Sequence, residues 1–523
     1  MATLSQPSET FEQQDAPNSP ELGLLGWVRW TWRQLTSMRT ALILLLLLAA
    51  AAIPGSVYPQ RSADPNGVTT FYQGNPELAK VLDWFQLFDV YSSVWFSAIY
   101  ILLFTSLIGC VIPRSKVHYR AMRSEPGEVP SRLSRFPGYK KTTTDASLKA
   151  VLDRAEAALN ERGYRLVRRK DSISAERGYL RETGNLVFHT ALIGVLIAAG
   201  VGGALSYNGQ RVLVEGEVFV NNLASYDSFS PGVFFDENQL TPFSMSLDKF
   251  EVFFDMKNGT NIGTPLDFRA TVTSKYGVDG QKSQSVIRVN EPLELPGANV
   301  YLTGNGYAPV LTFKDADGQI SFSGPVIFLP QDANYTSLGV VKLPDAKPDQ
   351  FGVLAFFYPT KEQLKTGAFT SIYPDPIDPL LSMNLYVGDL GLNDGSPKNV
   401  FSLNTHGLNQ VAGGKSGTKV VKLTVGETAQ LPGGLGTVEF NGLKRYASLD
   451  VAYNPAELWI LFFALVAMAG LAVSLSVGRR RVWVRKFDGG FEVAALAHHD
   501  DPRLTELVNE LTAQIANKKG KTK

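Results

Sequence analysis

AERGYLRETGNLVFHTALIGVLIAAGVGGALSY, residues 175–207, decides how the chain is laid out. A charged lead containing Arg177 and Arg181 gives way at Leu186 to an apolar run. A helix needs about 20 predominantly apolar residues to cross the hydrocarbon core of a bilayer, so residues 186–207 read as a transmembrane helix. His189 does not suit that reading: it lies about one helical turn inside the run, in a chain with 5 histidines. An ionisable side chain inside a span is costly and faces protein or a water path. Two readings stay open. The imidazole either hydrogen-bonds a neighbouring helix near the interface, or it is a ligand, since imidazole binds haem iron well.

Three further segments share this character. Residues 39–55 hold TALILLLLLAAAAIP, preceded by Trp27, Trp30 and Trp32, whose rings favour a membrane interface. A signal peptide is the rival reading, but the region before it is long and no small-x-small cleavage site follows. Residues 93–112 and 456–477 complete a set of four spans. Basic residues orient them. Residues 56–92 carry only Arg61 and Lys80, whereas residues 113–185 are dense in Arg and Lys, and the last span exits into GRRRVWVRK. Lys and Arg remain on the cytoplasmic side. The expected layout is therefore a multi-pass protein of the cell membrane with both termini cytoplasmic. Residues 1–38 form a cytoplasmic tail with an amphipathic lead-in, 56–92 an extracytoplasmic loop and 113–185 a basic cytoplasmic α/β module. Residues 208–455 form a large extracytoplasmic domain, and 478–523 a cytoplasmic C-terminal tail.

Composition narrows the chemistry. A net charge of +1 over 523 residues gives no argument for nucleic acid. Cys110 is the single cysteine, so no internal disulfide, CxxC redox pair or cysteine-rich zinc site exists. The mean hydropathy of −0.02 fits a few spans joined to substantial water-soluble parts.

Residues 208–455 alternate with period two. In DFRATVTSKY, Phe268, Ala270 and Val272 share one face. Turns at Asp279-Gly280 and Asp317-Gly318 link such runs. The expectation is an antiparallel β sandwich or open barrel. This region has one histidine, His406, no tryptophan and no defensible catalytic triad. In 113–185, Leu148, Val151, Leu152, Ala155 and Leu159 mark a helix face that Gly163 ends, followed by two short strands. The tail reads as a hairpin around Asp488-Gly489-Gly490 and a helix near 503–516, and both extreme ends read as disordered.

Other candidates have plain readings beside functional ones. Arg177 and Arg181 are either positive-inside anchors or contacts for an anionic head or propionate group. His118 reads as a surface residue in a basic stretch. His498 and His499 are a metal pair or a hairpin end, and Cys110 is a small apolar filler.

LTSMRTALILLLLLAAAAIPGSVYPQ, the His189 span, IRVNEPLELPGANVYLTGNGYAP and NPAELWILFFALVAMAGLAVSLSVGRRRVWVR, taken in order, resemble the ResB family. This is the membrane subunit of the two-component cytochrome c assembly route called system II. The third stretch carries Asn290, Pro292, Leu293, Gly297 and Tyr301 in the family's pattern. The chain departs at Asn454-Pro455-Ala456, where the family often has Asp-Pro-Gly, and residues 325–420 do not align. The resemblance implies an accessory subunit of a haem-ligating cytochrome c synthase complex. Its partners would be a ResC-type haem-handling membrane protein, apocytochrome c, a thiol-reducing membrane protein and membrane lipids. Haem would be held transiently and shared with the partner, with His189 as a ligand to its iron and Arg177 and Arg181 near its propionates. The competing class is a non-enzymatic membrane scaffold or sensor whose extracytoplasmic β domain binds a ligand.

Overall fold

The computed structural model describes residues 23–256, 262–392, 399–414, 416–497 and 501–516. The tail at 1–20, most of the C-terminal end and His498 and His499 lie outside them. The described residues hold nine α-helices: α1 Leu24–Leu35, α2 Met38–Val57, α3 Pro65–Gly74, α4 Pro76–Trp84, α5 Val94–Arg123, α6 Leu148–Glu161, α7 Leu180–Leu205, α8 Glu457–Ser476 and α9 Leu504–Ala516. Four of them, α2, α5, α7 and α8, are long and apolar enough to cross a membrane. The chain comprises two compact units. One runs through Val201 and resumes at Ala456; the other is Gly202–Pro455.

In the first unit, serine hydroxyls start the helices. Ser37, Ser93 and Ser147 accept backbone N–H groups at the N-termini of α2, α5 and α6, which satisfies donors that have no partner inside the helix. Among the spans, α7 and α8 approach most closely at glycines. A Cβ on Gly184 would lie 2.7 Å from the Gly470 carbonyl oxygen, and one on Gly470 would lie 2.7 Å from the Phe188 nitrogen. In lipid there is no hydrophobic drive between helices, so such small-residue contacts are what bring backbones together. Helix α5 continues through Pro113 to Arg123. At 30 residues it is about 45 Å long, well beyond the hydrocarbon thickness, and its last turns carry Lys116, His118 and Arg120 into the water-soluble part.

That part is a five-stranded antiparallel sheet in the order Gly138–Thr143, Gly490–Ala497, Arg480–Phe487, Ser172–Arg177 and Arg165–Arg168. The loop between α5 and α7 and the tail after α8 thus build one domain. Helix α6 buries Val151, Leu152, Ala155 and Leu159 on the sheet, as the sequence spacing predicts, but Leu148, expected on that face, is the first helical residue and stays exposed; Gly163 follows at φ +69. Helix α9 buries Leu504, Leu507, Val508, Leu511 and Ile515 in the same core, against Ile173, Val482, Val484 and Val493. The opposite face holds Leu133, with Phe136 stacked on Trp483 at 4.8 Å.

Among its described residues the second unit is antiparallel β structure: one sheet of 13 strands, one of 4 and a two-stranded ribbon of Lys361–Gln363 and Phe369–Ser371. Its spine is a pair of 17-residue strands, Ala298–Lys314 and Thr437–Tyr453, paired nearly end to end with two register shifts. Two cores flank this spine. One gathers Tyr307, Phe313, Phe328, Phe351, Phe357 and Phe440; the other gathers Tyr207, Phe219, Phe243, Phe250, Val300 and Val451. Ala270 and Val272 are buried, as their alternation predicts. The motif residue Gly297 sits at φ +74 in the turn between Leu293–Leu295 and the spine, where a Cβ would meet the Thr241 side chain at 2.6 Å. Only glycine accepts both conditions.

Candidate functional site

The spans form a small cavity around His189. Helix α5 contributes Leu107, Cys110, Val111 and Arg114, a spacing of three and four that places them on one face. Helix α2 contributes Met38, Ala41 and Leu42, and α7 contributes Asn185, Leu186 and His189. The cavity volume is about 120 Å³, below the roughly 300–1,000 Å³ of pockets that enclose a small molecule.

The polar groups of this cavity are few and definite. His189 Nδ1 lies 2.8 Å from the Asn185 carbonyl oxygen, one turn back on the same helix. A carbonyl only accepts, so Nδ1 carries the proton and donates it. In the neutral ring Nε2 then keeps its lone pair, and among the described residues no hydrogen-bond partner faces it. The Cys110 Sγ donates to the Thr36 carbonyl at 2.8 Å, which ties α5 to the segment before α2. The Arg114 guanidinium contacts the Met38 sulfur. Among the described residues no group of three or more His, Cys, Asp or Glu could hold a bare metal ion.

The two arginines marked by the sequence are not among the residues that line the cavity. Arg177 ends its strand and donates to the Arg162 carbonyl at 2.8 Å. Arg181 sits in the first turn of α7, eight positions before His189 and so about 12 Å along the axis. The guanidinium that does line the cavity is that of Arg114, which the sequence did not distinguish from the other basic residues after the second span. His406 is exposed in the β domain.

His118 corrects its surface reading: it is 6% exposed. Its Nδ1 lies 3.2 Å from Glu182 Oε2 and its Nε2 lies 2.9 Å from Thr183 Oγ1. Glu182 is ion-paired in turn with Arg479, just past α8. Arg479 also reaches Glu176 at 3.3 Å, and Arg481 meets Glu176 at 2.9 Å. Tyr179 donates its hydroxyl to Glu176 at 2.7 Å, and burial followed by that bond pushes its pKa up to about 12. The cluster thus fastens the ends of α5, α7 and α8 to the strands that carry Glu176 and Arg481. A cavity of about 380 Å³ opens beside Glu182, Arg479, Arg481, Leu496 and Ala497. Both guanidinium groups there already face carboxylates, so it offers little net charge to a ligand. Sequence reading missed this cluster because its three parts are far apart in the chain: His118 stands 58 positions before Glu176, and Arg479 stands 296 after Thr183. The available signal was Glu182, an acid at the mouth of an otherwise basic span entrance.

Four spans, a large antiparallel β domain inserted between the third and fourth, and a small α/β domain shared by loop and tail define a multi-pass membrane protein. The chain belongs to the ResB-like family, whose model matches residues 38–509. It is similar to the cytochrome c biogenesis protein CcsB of Synechococcus sp. strain WH7803, 30% identical over 273 residues, 51% of this chain and 58% of the relative. The CcsB of Synechococcus sp. strain RCC307 is 27% identical over 353 residues, 61% of this chain and 75% of the relative. That of Microcystis aeruginosa strain NIES-843 is 26% identical over 300 residues, 54% and 62% respectively. The chain thus spans less than two thirds of the WH7803 and Microcystis relatives it matches.

Proposed function

We propose that this chain takes part in cytochrome c biogenesis, handling haem as cargo together with a ResC-type membrane partner. One observation carries the reading: His189 is the one described histidine within a span whose second ring nitrogen is left with a lone pair, on a side chain lining a cavity between three helices. Such an imidazole would coordinate haem iron through Nε2. Bound haem would supply the group that is finally joined to an apocytochrome; what this chain contributes is the imidazole, held by the Asn185 carbonyl, and an apolar surround that excludes water. The cavity is too small to enclose a macrocycle, which supports a partner that provides the remaining walls. Arg114 is nearer to hand for an anionic group than Arg177 or Arg181, since it alone of the three lines the cavity. The lack of a cysteine pair leaves thiol reduction to another membrane protein.

We also propose the orientation set by the basic residues: both termini and the small α/β domain in the cytoplasm, the β domain outside, where it would hold the apocytochrome or frame the partner's haem site. A reporter fused near Asp171 should behave as cytoplasmic and one near Gly318 as external; the reverse would overturn the orientation. The functional test is His189→Gln in the complex purified with its partner. The expected result is loss of co-purifying haem and of covalently haem-stained cytochromes, with the protein still in the membrane and partial recovery on adding imidazole. Normal haem content and normal cytochromes would remove His189 as a ligand. Haem absent from the unmutated complex as well would favour the scaffold or sensor reading.

A further inference from the structure

The strand Ser228–Pro231 pairs with the first strand after α7, from Tyr207↔Pro231 to Gln210↔Ser228. The turn that follows is fastened back onto the end of that helix. Gly232 N–H donates to the Ser206 carbonyl and Phe234 N–H to the Ala204 carbonyl, each at 2.8 Å. The approach is so close that a Cβ on Gly232 would lie 2.4 Å from the carbonyl oxygens of Gly203 and Ala204. Phe235 turns inward, its ring 5.4 Å from that of Tyr207 and 5.3 Å from that of Phe229. Val233 and Phe234 turn outward and are 89% and 71% exposed.

A turn that packs Phe235 and presents the two apolar side chains before it outward calls for an apolar surrounding from elsewhere. Its attachment point says which. Between Leu186 and Leu205 the helix rises about 30 Å, the thickness of the hydrocarbon core. The Ala204 carbonyl therefore lies at the lipid boundary, and Phe234 hangs from it. Val201, 52% exposed, lies one turn back on the same end of α7. Asp236 and Glu237 follow the turn directly and belong in water. We propose that Val233 and Phe234 dip into the leaflet at the C-terminal end of α7, anchoring the β domain to the lipid surface. This inference rests on span geometry and is independent of any role in haem handling.

The test uses the full chain in vesicles of phosphatidylethanolamine and phosphatidylglycerol. In a Cys110→Ser background, Phe234→Cys or Val233→Cys takes an environment-sensitive dye; both side chains are exposed, so neither replacement removes packing. Asp317→Cys is the control. It lies past Lys314, at the far end of the spine strand that starts at Ala298, about 50 Å along that strand from the α7 end. Lipids carrying a quencher near the headgroup should remove about half the emission at 233 and 234, with a blue-shifted maximum, and leave 317 unchanged. Water-like, unquenched emission at both turn positions would overturn the proposal. So would a blue shift without lipid quenching, which would assign the pair to a protein contact.

Discussion

Two histidines sit on the spanning helices within the same unit, and their surroundings separate them. His118, at the end of α5, has a carboxylate on one nitrogen and a hydroxyl on the other. It has no free lone pair, and it is buried in a network of five charged or phenolic groups that join three helix ends to a sheet. His189, in α7, uses one nitrogen on its own helix's backbone and lines an apolar cavity with the other uncommitted. Hydrogen-bond saturation, more than depth or burial, distinguishes a histidine that holds structure from one that can accept a ligand. The arginines differ in a related way: both terminal nitrogens of Arg479 face carboxylates, of Glu176 and Glu182, whereas the Arg114 guanidinium contacts the Met38 thioether.

The contrast can be broken most forcefully at Arg479. Arg479→Met removes the guanidinium shared by Glu176 and Glu182, leaving Glu176, 9% exposed on its side chain, to Arg481 and Tyr179 and setting Glu182 beside it without a cation between them. Removing one partner of a buried pair costs about 3 kcal/mol or more, so thermal unfolding of the detergent-solubilised protein should shift strongly downward and membrane levels should fall. Stability equal to the unmutated chain would show that the cluster is not the clamp. Next is Gly470→Leu, which forces α8 away from α7 at a backbone contact. Overpacking of this kind costs about 1–3 kcal/mol, and because α7 also carries His189 it should weaken haem retention in parallel. Loss of stability with haem retention intact would uncouple the cavity from the α7–α8 seam.

His189→Gln should change stability by about 1 kcal/mol or less, since it removes one hydrogen bond within a helix. Its effect should fall on haem instead, the reverse of the Arg479 outcome. His118→Gln sharpens the pair: it should lower thermal stability and leave the haem of whatever folded protein remains unchanged. The smallest effect belongs to Tyr179→Phe, about 1 kcal/mol for its bond to Glu176. The Tyr179 pKa is raised from 10.0 to about 12 in the folded chain. Its neutral form is therefore favoured by folding, and the contribution is complete below pH 10 and lost as pH rises from 10 to about 12. The phenylalanine variant should lack that alkaline loss in a pH-resolved unfolding series.

The sequence by itself determined the spans, the antiparallel character of residues 208–455, the helix ended by Gly163, the strands after it and the turn at Asp317-Gly318; in the connection holding Asp279-Gly280 the positive φ falls on Gly277 instead. Each follows from local physics: apolar length for a span, period two for a half-buried strand, a glycine where φ must be positive. It also marked His189, because one ionisable residue in an apolar run is conspicuous without any partner in view. Only the tertiary structure decided what surrounds these elements. The tail strands at 480–487 and 490–497 complete a sheet begun before residue 180, and α9 shares a core with α6. Arg114, in sequence one of several basic residues after the second span, lines the His189 cavity, while Arg177 and Arg181 do not. His118 reads as surface in its basic neighbourhood, yet Glu182 and Thr183 enclose it from another helix. Which nitrogen is free, which charge is already answered and which apolar side chain is left outward depend on partners distant in the chain. Local periodicity carries no information about them.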